Sequence, residues 1–164
     1  MSAGATTDLL VFEFVDHGVA VRARLNTAGA PNTCAVVGGI ASTEPAVRAY
    51  HAIFSGRQLG IHVAPEVAGE IDGAREVPPE CATAFPAPGD VLWQYCPPGK
   101  MDGGPEIFDL ALCYGRDTRI LMPWGFSPAN RFAQVVDEDL PSLAKLGATM
   151  IETGAENVRI RSVA

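Results

Sequence analysis

Residues 85–115, FPAPGDVLWQYCPPGKMDGGPEIFDLALCYG, constrain the fold more than any other part of the chain. Pro86, Pro88 and Gly89 punctuate a turn, and Asp90 precedes an aromatic, β-prone run at 91–96. Pro97-Pro98-Gly99 breaks that run. A glycine-rich loop then leads into a second strand-like run at 107–114, which stops at Gly115. Two strands joined by a loop of about ten residues predict a central antiparallel hairpin.

The flanking sequence carries similar signals. Residues 9–15 read as a strand ending at Asp16-His17-Gly18, a turn with His17 exposed at its tip. The next run alternates, with Val19, Val21, Ala23 and Leu25 on one face and Arg22, Arg24 and Asn26 on the other, the period of a half-buried strand. Residues 46–54 alternate again. His51 shares a face with Val47 and Ile53, and Arg48 lies opposite, where it is expected to make a surface ion pair. Ser55-Gly56 turns the chain into a strand with Leu59, Ile61 and Val63 inward and His62 on the surface side. Further short strands are expected at 119–122, 131–136 and 156–163, the last with Val158 and Ile160 inward.

Two segments read as helices. Pro31 suits the first turn of a short one that Gly38-Gly39 weakens near Ile40. Residues 140–152 carry the clearer helical period, with Asp139 as N-cap and Gly154 as the stop. Residues 64–84 are acidic, rich in Pro and Gly, and without period, which suits either a lid or a disordered excursion. About eight short strands with one or two helices predict a mainly β fold, a small closed or nearly closed antiparallel barrel. Residues 1–164 are expected to form one such domain, with 1–7 a flexible tail.

Charge narrows the partners. A net charge of −7 and a pI near 4.8 argue against nucleic acid and anionic membrane, which both reward clustered Lys and Arg. No apolar run reaches the ~20 residues of a membrane span and no signal peptide is apparent, so a cytoplasmic location is expected. Cys34, Cys81, Cys96 and Cys113 stand singly, with no pair at metal-binding spacing; Cys96 and Cys113 read as small core residues. Neither a metal nor a cofactor is expected.

The order of elements resembles a cyclophilin-like fold and, more closely, an uncharacterised prokaryotic family with that fold. The matching residues are Arg48, His51 and Ser55-Gly56, the segment Phe85-Pro86-Ala87-Pro88-Gly89-Asp90, the pair Tyr114-Gly115, and Gly125 through Asn130-Arg131-Phe132-Ala133. The chain departs from the family pattern at Cys81, where an asparagine is expected after Glu80. The resemblance implies a fold rather than an activity. The strand and segment that mark true prolyl isomerases are missing here, so that activity is not implied. Related barrels serve as subunits of bacterial enzymes acting on ureas and cyclic amides, which suggests small carboxylates, ureas or cyclic amides as ligands.

His51 is the one histidine on a patterned strand that faces inward, and it suits either a general acid/base or a hydrogen-bonded rim residue. Glu80 precedes the hairpin, either to orient His51 or bind a polar ligand group, or as a solvated lid carboxylate. Tyr114, Arg116, Trp124, Phe126 and Asn130 stand at strand ends and in loops, where binding residues concentrate. An aromatic wall with a guanidinium suits a small planar ligand bearing a carboxylate or amide. Trp124 and Phe126 suit equally the anchors of a homo-oligomer. Two functions stand: a metabolite-binding barrel working by acid/base chemistry, and a non-catalytic binding or assembly barrel.

Overall fold

In the computed structural model, which describes residues 8–163, the hairpin sits within a nine-stranded sheet. In chain order the elements are β1 (Leu9–Phe14), β2 (Val19–Leu25), α1 (Pro31–Ser42), β3 (Ala46–His51), β4 (Gln58–Val63), α2 (Pro65–Ala68) and β5 (Ala82–Thr83). The hairpin follows as β6 (Asp90–Cys96) and β7 (Ile107–Cys113). Then come β8 (Leu121–Met122), β9 (Gly125–Phe126), β10 (Ala129–Val135), α3 (Leu140–Thr153) and β11 (Ala155–Val163).

The strands run in the order β2-β1-β11-β3-β4-β7-β6-β10, each antiparallel to its neighbours. β10 then returns to β2 through Ala133–Leu25, Gln134–Arg24 and Val135–Ala23, closing the barrel. β5 adds a short strand on β10. The expected closed barrel is therefore present, with its alternation. Leu10, Phe12, Phe14, Leu59, Ile61, Phe108, Leu110, Leu112 and Phe132 fill the interior and are wholly buried, as an eight-stranded barrel requires.

The helices differ in detail from the sequence reading. α1 runs straight through Gly38-Gly39, and at Gly39 a Cβ would stand only 3.0 Å from the Ile71 side chain. That glycine admits the 64–84 segment rather than breaking the helix. α3 lays Leu143, Leu146 and Met150 into the core, and Gly147 lies so close to Tyr114 that a Cβ would come within 2.4 Å of the ring. Asp139 makes no cap bond to α3. It holds Arg22 instead, accepting from its Nε at 2.9 Å, its Nη2 at 3.0 Å and its backbone N–H at 2.8 Å. Local pattern could not see a partner more than a hundred residues away. Arg48, expected to be ion-paired, is exposed and has no carboxylate partner among the described residues.

The 64–84 segment carries α2 and β5, and packs Val67, Ala68, Ile71, Ala74 and Val77 on the core. Arg75 pins it to the hairpin loop through two bonds to Glu106, of 2.8 and 2.9 Å. Cys81 has φ 46°, a left-handed conformation that costs an ordinary side chain of order 1 kcal/mol and that asparagine tolerates. An asparagine, the residue that the resemblance implies here, would suit this conformation. The expectation for residues 1–7 falls outside the described residues.

Cys81→Asn is expected to stabilise the fold by about 0.5 kcal/mol, or about 1–2 °C in Tm, read by calorimetry. An unchanged or lower Tm would mean that the thiol contacts to Gly29 and Asn26 outweigh the backbone strain.

Candidate functional site

The two expected acid/base residues occupy separate networks with no shared partner. His51 ends β3, where its Nδ1–H donates to the Ala52 carbonyl at 2.8 Å. That fixes the tautomer, so Nε2 accepts from the Tyr114 hydroxyl at 2.7 Å. Both nitrogens are engaged. Burial raises the Tyr114 phenol, which stays a donor at neutral pH.

Glu80 is buried, 8% exposed, at the start of α1. Its Oε1 accepts from the Asn32 backbone and side chain at 3.0 and 2.7 Å; its Oε2 accepts from the Thr33 backbone and hydroxyl at 2.8 and 2.6 Å. It caps in trans a helix whose own N-cap residue, Ala30, makes no side-chain cap bond. Asn130 completes the network: its side-chain oxygen accepts from the Glu80 backbone N–H, and its amide donates to Thr33 and the Pro78 carbonyl. Glu80 and Asn130 are thereby committed to holding the 64–84 segment against α1.

Of the remaining expected residues, Arg116 lies exposed in the turn after β7. Phe126 packs against Phe85 in a tilted pair with centroids 5.0 Å apart, both exposed. Trp124 lies under the Lys100 ammonium, 4.8 Å from its ring centroid.

Register builds a different site on the outer wall. β4, β7 and β6 place His62, Asp109 and Gln94 side by side in one cross-strand row. The adjacent row is Gly60, Ala111 and Leu92, and Gln58 faces Cys113 in the row beyond. Short side chains in the middle row leave a recess between polar rows. It opens into a cavity of about 290 Å³ walled by Ile53, Phe54, Met101 and Met122, with His51 at its edge. The alternation in Ile107–Cys113 hid this, because an outward Asp109 reads as a solvated position. Its neighbours follow from register alone.

The electrostatics of this recess are unusual. Asp109 Oδ1 and Gln58 Oε1 are both sealed from solvent without a hydrogen-bond partner among the described residues. Burial pushes the Asp109 carboxyl up to about 7, with the Ile61 amide opposing only partly. Burial also pushes the His62 imidazole down. His62 Nε2 lies 3.6 Å from Asp109 Oδ1, too far for a hydrogen bond. Near neutrality Asp109 therefore passes between carboxyl and carboxylate beside a largely neutral imidazole. A pair so poised can give and take a proton at physiological pH.

The chain belongs to the family described as "Protein of unknown function (DUF3830)", whose match covers residues 14–162. No curated protein matches. Among solved structures it is similar to one described as "Structure of McbB in complex with tryptophan", with a TM-score of 0.65 and 19% identity over 93% of this chain and 44% of that one. The chain thus spans less than half of that neighbour, and the likeness shows the fold: a cyclophilin-like barrel. Among the described residues, no helix is long and apolar enough to cross a membrane.

Two outcomes are expected in unfolding experiments. Glu80→Ala should cost on the order of 3 kcal/mol, because it strands buried donors that now meet a charge. Burial would raise the Glu80 carboxyl, but the Thr33 and Asn32 bonds outweigh it and hold the group below its ordinary 4.5. Its contribution is therefore present above that value and is lost as pH falls through the folded one; urea midpoints of wild type and Glu80→Gln should converge in acid. Asp109 has the opposite sign. Raised to about 7 from 3.8, it favours the fold fully below 3.8 and loses that favour as pH rises to about 7. Asp109→Asn should remove this slope, at most about 1.4 kcal/mol per pH unit.

Proposed function

We propose that this barrel binds a small, largely apolar metabolite bearing an amide, urea or cyclic-imide N–H in the outer-wall recess, and that Asp109 with His62 moves a proton on it. The observation that carries the reading is the pair of sealed, unpartnered oxygens, Asp109 Oδ1 and Gln58 Oε1, lining one cavity. Buried polar atoms normally have partners, and an N–H of a bound molecule would supply one here. Apolar walls at Phe54, Met101 and Met122 suit the rest of such a molecule. His51 lines the same cavity, where it positions Tyr114 while the acid/base role falls to Asp109. That a structural neighbour of this fold was solved in complex with tryptophan supports a small molecule as the class of ligand.

Hydantoin and 2-pyrrolidone, compared with their N-methylated analogues, test the reading in a thermal-shift experiment. At tenfold excess over Kd the N–H compounds should stabilise wild type by about 1.4 kcal/mol, a rise of about 3–5 °C. The N-methylated compounds and Asp109→Leu should lose that rise. Equal shifts with the N-methylated compounds, or none in wild type, would refute the site.

A second reading rests on the rim. Ile53, Phe54, Phe85 and Phe126 are 95, 57, 66 and 56% exposed, and Phe85 and Phe126 meet in one apolar pair that suits assembly with a second copy in the cytoplasm. Sedimentation of wild type against Phe85→Asp/Phe126→Asp decides it: a dimer that the substitutions dissociate supports assembly through this rim, and a monomeric wild type excludes it.

A further inference from the structure

Both tryptophans of the chain, Trp93 and Trp124, line a second cavity of about 510 Å³. It lies where the end of β6 meets the β8–β9 hairpin and the 64–84 segment, with Tyr95 adding a third aromatic wall. Its polar groups can be accounted for one by one. Gln94 donates to Ser127 at 2.7 Å. The Asn130 amide is committed to Thr33 and Pro78. Arg75 is neutralised by Glu106, which also accepts from the Tyr95 hydroxyl at 3.1 Å.

Two donors stand out among those left over. Trp93 is 2% exposed, and its indole N–H has no partner among the described residues. Lys100 has no carboxylate partner there either and stands over Trp124. A buried N–H without an acceptor is rare. A wall that retains one net positive charge in a chain of −7 marks this cavity as a place where an anion is favoured. The left-over groups are a directional donor and a cation, both calling for acceptor oxygens. The surrounding aromatic rings call for a flat apolar body.

We propose that this cavity binds a planar aromatic carboxylate, with the carboxylate held by Lys100 and the Trp93 N–H and the ring among Trp93, Tyr95 and Trp124. The chemistry is complementary to that of the Asp109 recess, which offers acceptors where this cavity offers donors. The proposal does not rest on a ligand being bound at Asp109.

Because both tryptophans line the cavity, intrinsic fluorescence reads its occupancy. Benzoate should quench wild type saturably, and benzamide, the neutral analogue of the same shape, should bind at least about tenfold more weakly. Lys100→Gln removes the charge, and Trp93→Phe keeps a packed ring while removing the N–H; Trp124 still reports in both. Each should weaken benzoate by about tenfold. No saturable quenching in wild type, equal affinity for benzamide, or unchanged affinity in Lys100→Gln would overturn the proposal. The surface position of Lys100 keeps that last arm informative even should Trp93→Phe fold poorly.

Discussion

Three cross-strand pairs between β10 and β2 turn an open sheet into a barrel, and the rest of the molecule depends on that closure. Once closed, the interior is fixed in size and fully occupied by Phe12, Phe14, Phe108, Phe132 and their neighbours. A ligand therefore has to be met outside the barrel wall or at its ends. The two helices seal those ends: α1 leads into the start of β3, and α3 packs on Tyr114 beside the last residue of β3. Function is left to the outward positions of β4, β7 and β6, to the end of β6 where Trp93 and Tyr95 reach a second cavity, and to the loops around them.

Outward positions of a barrel face water, and alternation predicts polar residues there. Here the polar residues are interrupted by Gly60, Ala111 and Leu92, and the short ones allow the surface to sink. Walls from the 52–55 turn and the β8–β9 hairpin then shield Asp109 enough to raise its carboxyl to about 7. Partial desolvation at the mouth also lowers His62, whose side chain stays 57% exposed. One geometric cause shifts an acid and a base toward each other, which makes the recess chemically different from an ordinary charged surface.

The sequence carried the hairpin, the in-out alternation, the shared face of Val47, Ala49 and His51, and both longer helices, because those signals are local; Ile53, read on that same face, lies beyond the end of β3 and is exposed. What it hid was every role set by distant partners. Glu80 reads as a lid carboxylate until α1, nearly fifty positions earlier, arrives to be capped. Asp139 reads as an N-cap until Arg22 is brought across the barrel. Asp109 carries no motif at all; its significance comes from the strands that register sets on either side of it. His51 was visible as an inward histidine, yet its engagement with Tyr114 depends on α3 holding that ring in place.

The cysteines divide along the same line between inside and outside. Cys34, Cys96 and Cys113 are buried, and burial pushes the Cys34 thiol up to about 11 and that of Cys113 higher still. Cys81 alone is exposed. Since the thiolate is the reactive form, an alkylating dye would find a single address on the native protein. That address adjoins Glu80, where the 64–84 segment is fastened to α1, so the unmodified chain already holds an attachment point for a probe of that junction.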